Sequence, residues 1–286
     1  MKCVLCNVYE ADLFLEEGGY KAVKCRRCGL VYVNPMPSFA ELKEKYSDSS
    51  SSAVHGEIPA IEEKALKAKL DIALIKKFKE KGKILDIGCS EGTFLSQAAE
   101  SGYDPHGIEI NKTSVKYARG KYHLVNIFEG GILDSSFPEE YFDIVSMRNV
   151  LSHLHNPVQE MNKINTLLKK DGLFFCITGN LGSLSKERIK QYSNFSTPQL
   201  AEHLFHYSEN NLYTLFKRSG FSIRKIYRFS AYLDEYNGLF FRIIKCGLNG
   251  KLSIKVLVFV RLLLGRLCFK KGRWLSLAVV AFKEKQ

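Results

Sequence analysis

Apolar positions change their period several times along the chain, and each change marks an element. From Glu57 to Lys79, Ala60, Ala65, Leu66, Leu70, Leu74 and Phe78 recur at helical spacing among lysines and glutamates, which predicts an amphipathic helix. Lys83 to Gly88 reads as a short buried strand, with a helix-forming segment after Gly92. A second strand ends in Gly107-Ile108-Glu109-Ile110, and a helix follows Asn111. Further strands are expected near Leu124 to Glu129, Tyr141 to Met147 and Leu173 to Thr178. Ser208 is placed to cap a helix that ends at Gly220, Phe221 to Tyr227 follows as a sixth strand, and Trp274 to Phe282 as the last. Strands alternating with helices predict an α/β, doubly wound sheet. No internal repeat is visible.

The first of these strands runs into Asp86-Ile87-Gly88-Cys89-Ser90-Glu91-Gly92-Thr93-Phe94. Glycines in such a turn let backbone N–H groups and a helix N-terminus come close to a ligand. About 20 residues on, Glu109 ends the second strand, where an acid takes the hydroxyls of a ribose. The pair points to an adenosine-containing cofactor. The same letters, G-x-S-x-G, also fit a nucleophile elbow with Ser90 as nucleophile, but Asp86 and Glu109 have no place in an elbow.

With these residues the chain resembles a class I S-adenosylmethionine-dependent methyltransferase over about residues 80 to 230. Asp86, Gly88 and Gly92, with Ser90 in place of the middle glycine, match that family's first motif, and Glu109 matches the acid after its second strand. Phe137-Pro138 before Tyr141-Phe142-Asp143-Ile144-Val145 resembles the approach to the fourth strand. Val150 to Pro157 resembles the segment after it, and Leu167 to Gly172 leads into a fifth-strand-like Leu173 to Ile177. The resemblance implies a seven-stranded Rossmann-like sheet whose last strand pairs with the sixth. It also implies S-adenosylmethionine as cofactor. Gly131 stands where relatives place an acid for the adenine amino group, so Asp134 or a backbone carbonyl is expected to serve instead.

Cys3-x2-Cys6 and Cys25-x2-Cys28 have the spacing of a four-thiolate zinc site, and Lys24, Arg26 and Arg27 favour thiolates. Such a site is closed, hence structural, and it supplies stability that a module of about 35 residues cannot draw from its own core. No signal-like segment is read at the N-terminus, so a reducing, cytoplasmic setting is expected. Cys89, Cys176, Cys246 and Cys268 lack any such spacing. The expected organisation is a zinc-ribbon module over 1–45, a linker and lead-in helix over 46–80, and the methyltransferase domain over 81–286.

Charge adds one feature. The 286 residues carry a net charge of +12, and residues 241–286 hold eleven Lys or Arg against one acid, or +10 of it. The basic residues fall among apolar runs in an insertion over 236–272, before the last strand. Lys251, Lys255 and Arg266 cluster within roughly 60° of a helical wheel, a pattern resembling an interfacial basic amphipathic helix. Between Lys251 and Arg273 no charge-free run exceeds five residues, so the stretch does not span a bilayer. Residues 239–273 are therefore expected to meet an anionic membrane surface, making the protein peripheral on the inner face. Packing on the sheet and nucleic-acid binding are the alternatives. The richness in Leu, Val and Phe argues against nucleic acid.

Methyl transfer from a sulfonium is an in-line displacement, and a general base is needed only if the acceptor keeps its proton. His153, His155, His203 and His206 are the candidates, with Tyr207 as another; His153 follows the fourth strand and could equally brace the next helix. His203-Leu204-Phe205-His206-Tyr207-Ser208 resembles a segment that borders the acceptor pocket in related enzymes, with His206 expected at the surface. The order of zinc ribbon and methyltransferase domain resembles bacterial enzymes that modify sugars and secondary metabolites. That implies a small-molecule, sugar or lipid-linked glycan acceptor, methylated at carbon or oxygen. An RNA base methyltransferase shares the order, but its finger ends in Cys-x3-His, unlike Cys25-x2-Cys28. A non-catalytic zinc- and cofactor-binding protein is the remaining class.

Overall fold

A computed structural model describes residues 1–38, 41–42, 58–181, 200, 202–230 and 275–284. The basic insertion, with the stretch 239–273 read as a membrane surface, lies outside the described residues, as do residues 46–57 of the linker.

In chain order the strands are β1 (Ala11–Glu17), β2 (Tyr20–Cys25), β3 (Val31–Val33), β4 (Lys83–Ile87), β5 (Asp104–Glu109), β6 (Ile127–Glu129), β7 (Phe142–Arg148), β8 (Leu168–Asn180), β9 (Phe205–His206), β10 (Phe221–Ser230) and β11 (Leu275–Lys283). The helices are α1 (Ile58–Ile75), α2 (Thr93–Glu100), α3 (Lys112–Tyr122), α4 (Pro157–Leu167) and α5 (Glu209–Arg218). Short 3-10 turns cover Ile132–Asp134 and Leu151–His153.

Seven strands form one sheet in the order β10-β11-β8-β7-β4-β5-β6. β4 pairs in parallel with both β5 and β7, β5 with β6, and β7 with β8. β11 runs antiparallel between β8 and β10, Phe282 facing Leu173 on one side and Ser222 on the other. The mixed α/β sheet is Rossmann-like, and the hairpin of the sixth and last strands is present.

Successive residues of a strand face opposite sides of a sheet, and the core divides accordingly. Phe174 packs with Val145, Leu212 and Phe216 on one face, while Phe175 packs with Ile84, Ile144, Ile72 and Phe94 on the other. Phe174 is fully buried and stacks on Phe216 at 5.4 Å, so its truncation to alanine costs about 3–5 kcal/mol. α5 starts where Ser208 and Asn211 cap each other: Ser208 Oγ accepts the Asn211 N–H at 3.2 Å, and Asn211 Oδ1 accepts the Ser208 N–H at 3.0 Å. It stops at Gly220, whose φ of +71° suits glycine.

A second sheet of four strands, β1-β2-β3-β9, ends its second strand on Cys25, with Cys28 in the turn that follows and Cys3 and Cys6 ahead of β1. β1, β2 and β3 are antiparallel neighbours, but the fourth strand comes from far along the chain: Val31 pairs with His206 and Tyr32 with Phe205. Cys3, Leu5, Leu30 and Tyr32 belong to the same apolar cluster as Phe174, Leu212 and Phe216. The small sheet therefore shares a core with the large one. Among the described residues, no helix is long and apolar enough to cross a membrane.

Candidate functional site

The turn after β4 is shaped by left-handed backbone at Gly88 (φ +70°), Ser90 (φ +49°) and Gly92 (φ +83°). At Gly88 a Cβ would fall 2.4 Å from Val150 Cγ2, so only glycine lets the loop pass under the segment that follows β7. Gly92 packs against Ala118 and Leu124, where a Cβ would fall within 2.8 Å of both side chains. Ser90 tolerates its conformation with two bonds: its N–H donates to Glu109 Oε2 at 2.8 Å, and its Oγ donates to Glu91 Oε2 at 2.5 Å.

Glu109 is the hinge of this arrangement. Its Oε1 accepts the Asn111 N–H at 2.8 Å, and Asn111 in turn caps α3 by accepting the Ser114 N–H at 2.9 Å. Burial raises the Glu109 carboxyl above its usual range, opposed by those backbone donors. A carboxylate has about four lone-pair sites, so Glu109 keeps acceptor capacity beyond the backbone donors of Ser90, Asn111 and Ile110.

Beside this carboxylate opens a cavity of about 320 Å³. Gly88, Ser90, Glu109, Ile110 and Asn111 wall one part of it, with Gly130, Gly131 and Ile132 alongside. Asn149, Val150, His153, Leu154, His155 and Glu160 wall the other, and Leu42 reaches in from the N-terminal region. An apolar floor with a few convergent polar groups is the ordinary make-up of a small-molecule site. Glycine loop, strand-end acid and apolar walls fit S-adenosylmethionine.

Of the residues singled out in the sequence, Gly88, Ser90, Glu109 and His153 meet on the cavity wall. Asp86 does not. It lies 1% exposed beneath the loop, where its carboxylate accepts from Ser146 Oγ at 2.6 Å and pairs with Arg148 at 3.4 Å. Burial raises its pKa; Arg148 and Ser146 pull it back. Arg148 also lies 3.8 Å from buried Asp71 on α1 and over the Phe94 ring at 4.0 Å. Asp134 is exposed at the end of its 3-10 turn, and the wall beside it is made by Gly131 and Ile132. Gly92 is buried in packing.

The histidines form a row. His153 and His203 have ring centroids 4.6 Å apart, and His203 and His206 6.2 Å apart. Burial first, then the neighbouring His203, lowers His153 to about 4, so it is neutral at pH 7. His206 is half-buried on β9 rather than the surface side chain expected from the sequence, and its Nε2 is closed off from solvent without a partner among the described residues. Burial takes it to about 3. Tyr207 is 1% exposed in the shared core, its hydroxyl buried and without a partner, and burial raises it well above the ordinary phenol value. A phenol so held keeps its proton.

Sequence reasoning missed Arg148, Asp71, Glu160 and Leu42. Glu160 carried a signal, standing in the first turn after Pro157, where it accepts the Asn156 N–H at 3.0 Å. Burial raises its pKa as well. Arg148 carried none, because its partners Asp71 and Asp86 are distant in sequence.

At the N-terminus the Sγ atoms of Cys3 and Cys28 lie 3.5 Å apart, those of Cys6 and Cys25 3.4 Å, and all four are within 4.8 Å of one another. Four thiolates around an ion with bonds of ~2.3 Å stand roughly 3.8 Å apart, so the donor set fits tetrahedral zinc. Burial raises the Cys3 thiol to about 11. At Cys25 burial is outweighed by donors that include the Cys28 and Arg27 N–H groups, and the thiol is lowered.

A family model described as "Methyltransferase domain" matches residues 60–226, and the chain belongs to that family. A probable S-adenosylmethionine-dependent methyltransferase of Mycolicibacterium smegmatis is 26% identical over 117 residues, covering 41% of this chain and 46% of the relative. A ubiquinone biosynthesis O-methyltransferase of Glaesserella parasuis is 32% identical over 107 residues, 34% of this chain and 45% of that one. The chain thus spans a little under half the length of these curated relatives. Among solved structures, a SAM-dependent methyltransferase of Methanosarcina mazei superposes with a TM-score of 0.52 at 17% identity, over 74% of this chain and 98% of that one. The [4+2]-cyclase SpnF does so at 0.50 and 16% identity, over 75% and 80%. Both likenesses are of fold, and the fold serves more than one reaction.

Proposed function

We propose that the protein transfers a methyl group from S-adenosylmethionine to a small-molecule, sugar or lipid-linked glycan acceptor, at carbon or oxygen. The observation that carries this is Glu109, held by the Ser90 and Asn111 N–H groups on the wall of a cavity whose far end is lined by His153, His155 and Glu160. Glu109 would hold the ribose, the Gly88–Gly92 turn the methionine part, and Gly131 and Ile132 the adenine. Bound there, the cofactor supplies an electrophilic methyl group on a sulfonium. His153, neutral on the cavity wall, is placed to take a proton from the acceptor as a weak base, its basicity lowered by burial and by His203, while Leu42 and Leu154 exclude water. Asp86 supports the loop from beneath through Ser146 and Arg148. Cys3, Cys6, Cys25 and Cys28 would hold a structural zinc ion.

The charge of residues 239–273 favours attachment to an anionic membrane surface, which would bring the cavity to lipid-linked acceptors. The test is transfer of labelled methyl from S-adenosylmethionine to a panel of nucleotide-sugars, polyprenyl-linked sugars, catechols and RNA. Labelling of one of the first three supports the reading. Labelling of RNA alone overturns it.

A further inference from the structure

The cysteine cluster and the histidine row are joined by hydrogen bonds and the short backbone segments between them. Asn211, 1% exposed, donates from Nδ2 to the Cys28 carbonyl at 2.8 Å. At the other end of α5, Arg218 donates to the carbonyls of Val4 at 3.0 Å and Leu5 at 2.5 Å, both between Cys3 and Cys6. One helix thus grips both cysteine turns, about two helical turns apart. Ser208, the cap of that helix, follows β9 almost directly, and His203 precedes β9.

The same segment is tied to the cavity. Leu204 accepts the Val33 N–H at 2.9 Å from the cysteine sheet, and donates its own N–H to Ser152 at 2.7 Å, next to His153. A second tie runs beside it: His155 Nε2 donates to the Pro37 carbonyl at 3.1 Å, and Leu42 reaches the cavity wall one turn later. Convergence of the four thiolates on one centre would add to the backbone hydrogen bonds that already hold these turns, Asn7 N–H to the Cys3 carbonyl and Gly29 N–H to the Cys25 carbonyl, and so fix the direction of the carbonyls they present.

We infer that the cysteine cluster is a positioning device for the acceptor side of the cavity. Asn211 and Arg218 are positioning residues that transmit closure of the four thiolates to His203 and, through Leu204 and Ser152, to His153. This rests on the four-thiolate zinc reading given above. The metal does no chemistry at the cavity; it fixes where the histidines stand.

The test uses the full zinc-loaded chain, with metal content measured and histidine modification by diethyl pyrocarbonate mapped by mass spectrometry. Asn211→Asp keeps the oxygen that caps α5 but replaces the donor to Cys28 with a carboxylate. Arg218→Met removes the donors to Val4 and Leu5, and Arg218→Lys restores a cation. Expected are unchanged zinc content and a roughly fivefold faster modification of His203 in Asn211→Asp and Arg218→Met, with Arg218→Lys close to wild type. Buried His106, in the core of the large sheet, should stay protected. His203 rates within about twofold of wild type in zinc-retaining variants would overturn the inference. So would a parallel rise at His106, which reports global opening. Wild-type chain without zinc removes the metal reading, an outcome read from metal content alone.

Discussion

The backbone N–H of Ser90 meets Oε2 of Glu109 at 2.8 Å, joining the loop after β4 to the end of β5. The bond uses the main chain of Ser90, not its hydroxyl. Ser90→Gly should therefore bind S-adenosylhomocysteine within about threefold of wild type, since glycine accepts a φ of +49° without strain. Glu109→Ala removes the acceptor of two backbone donors and, in the proposed site, of the ribose hydroxyls, and roughly 100-fold weaker binding is expected. Equilibrium titration measures both. Equal affinities for the two variants would contradict the assignment.

Arg148 stands between two carboxylates that are nearly sealed from water, Asp71 and Asp86. Arg148→Met takes this cation from both and should destabilise the fold by about 3–5 kcal/mol, read from urea denaturation. Adding Asp86→Asn should recover part of that loss. Equal stability of wild type and Arg148→Met would show that the carboxylates are neutralised some other way.

Much of the architecture could be read from the sequence because its signals are local. Gly88, Gly92 and Glu109 declare themselves by spacing, and Ser208 by its position before an apolar helical run. Cys3, Cys6, Cys25 and Cys28 do so by two short turns. What escaped depends on contacts between distant segments. β9 is only two residues long, and Phe205 and His206 become a strand because β3 offers an edge. That pairing places His206, half-buried, opposite Val31. Asp86 matched a motif, yet its side chain turns toward Ser146 and Arg148, because β7 beside it supplies a hydroxyl and a cation.

Buried histidines give stability a pH dependence. The folded chain holds His206 near 3, whereas an unfolded chain binds a proton below about 6.5. Its contribution is complete above that value and is lost as pH falls toward 3. His206→Phe removes this site, so between pH 6.5 and 4.5 its stability should fall less steeply than wild type, by roughly 1 kcal/mol per pH unit. Protonation of nearby His153 remains in both proteins. Parallel stability curves would show that β9 does not shield His206.

Residues 239–273 carry the basic and apolar composition of an interfacial segment. The protein should float with liposomes containing anionic lipid at low salt and be released as salt rises, since the attraction is screened. Absence from the floating fraction at every salt concentration would count against membrane attachment.

The cavity beside Glu109 is the proposed site of S-adenosylmethionine. Calorimetric titration of the zinc-loaded chain with S-adenosylhomocysteine tests it most directly. One site with a dissociation constant on the order of micromolar, lost in Glu109→Ala, is the predicted result. No heat of binding in a folded, zinc-loaded wild type would contradict the account.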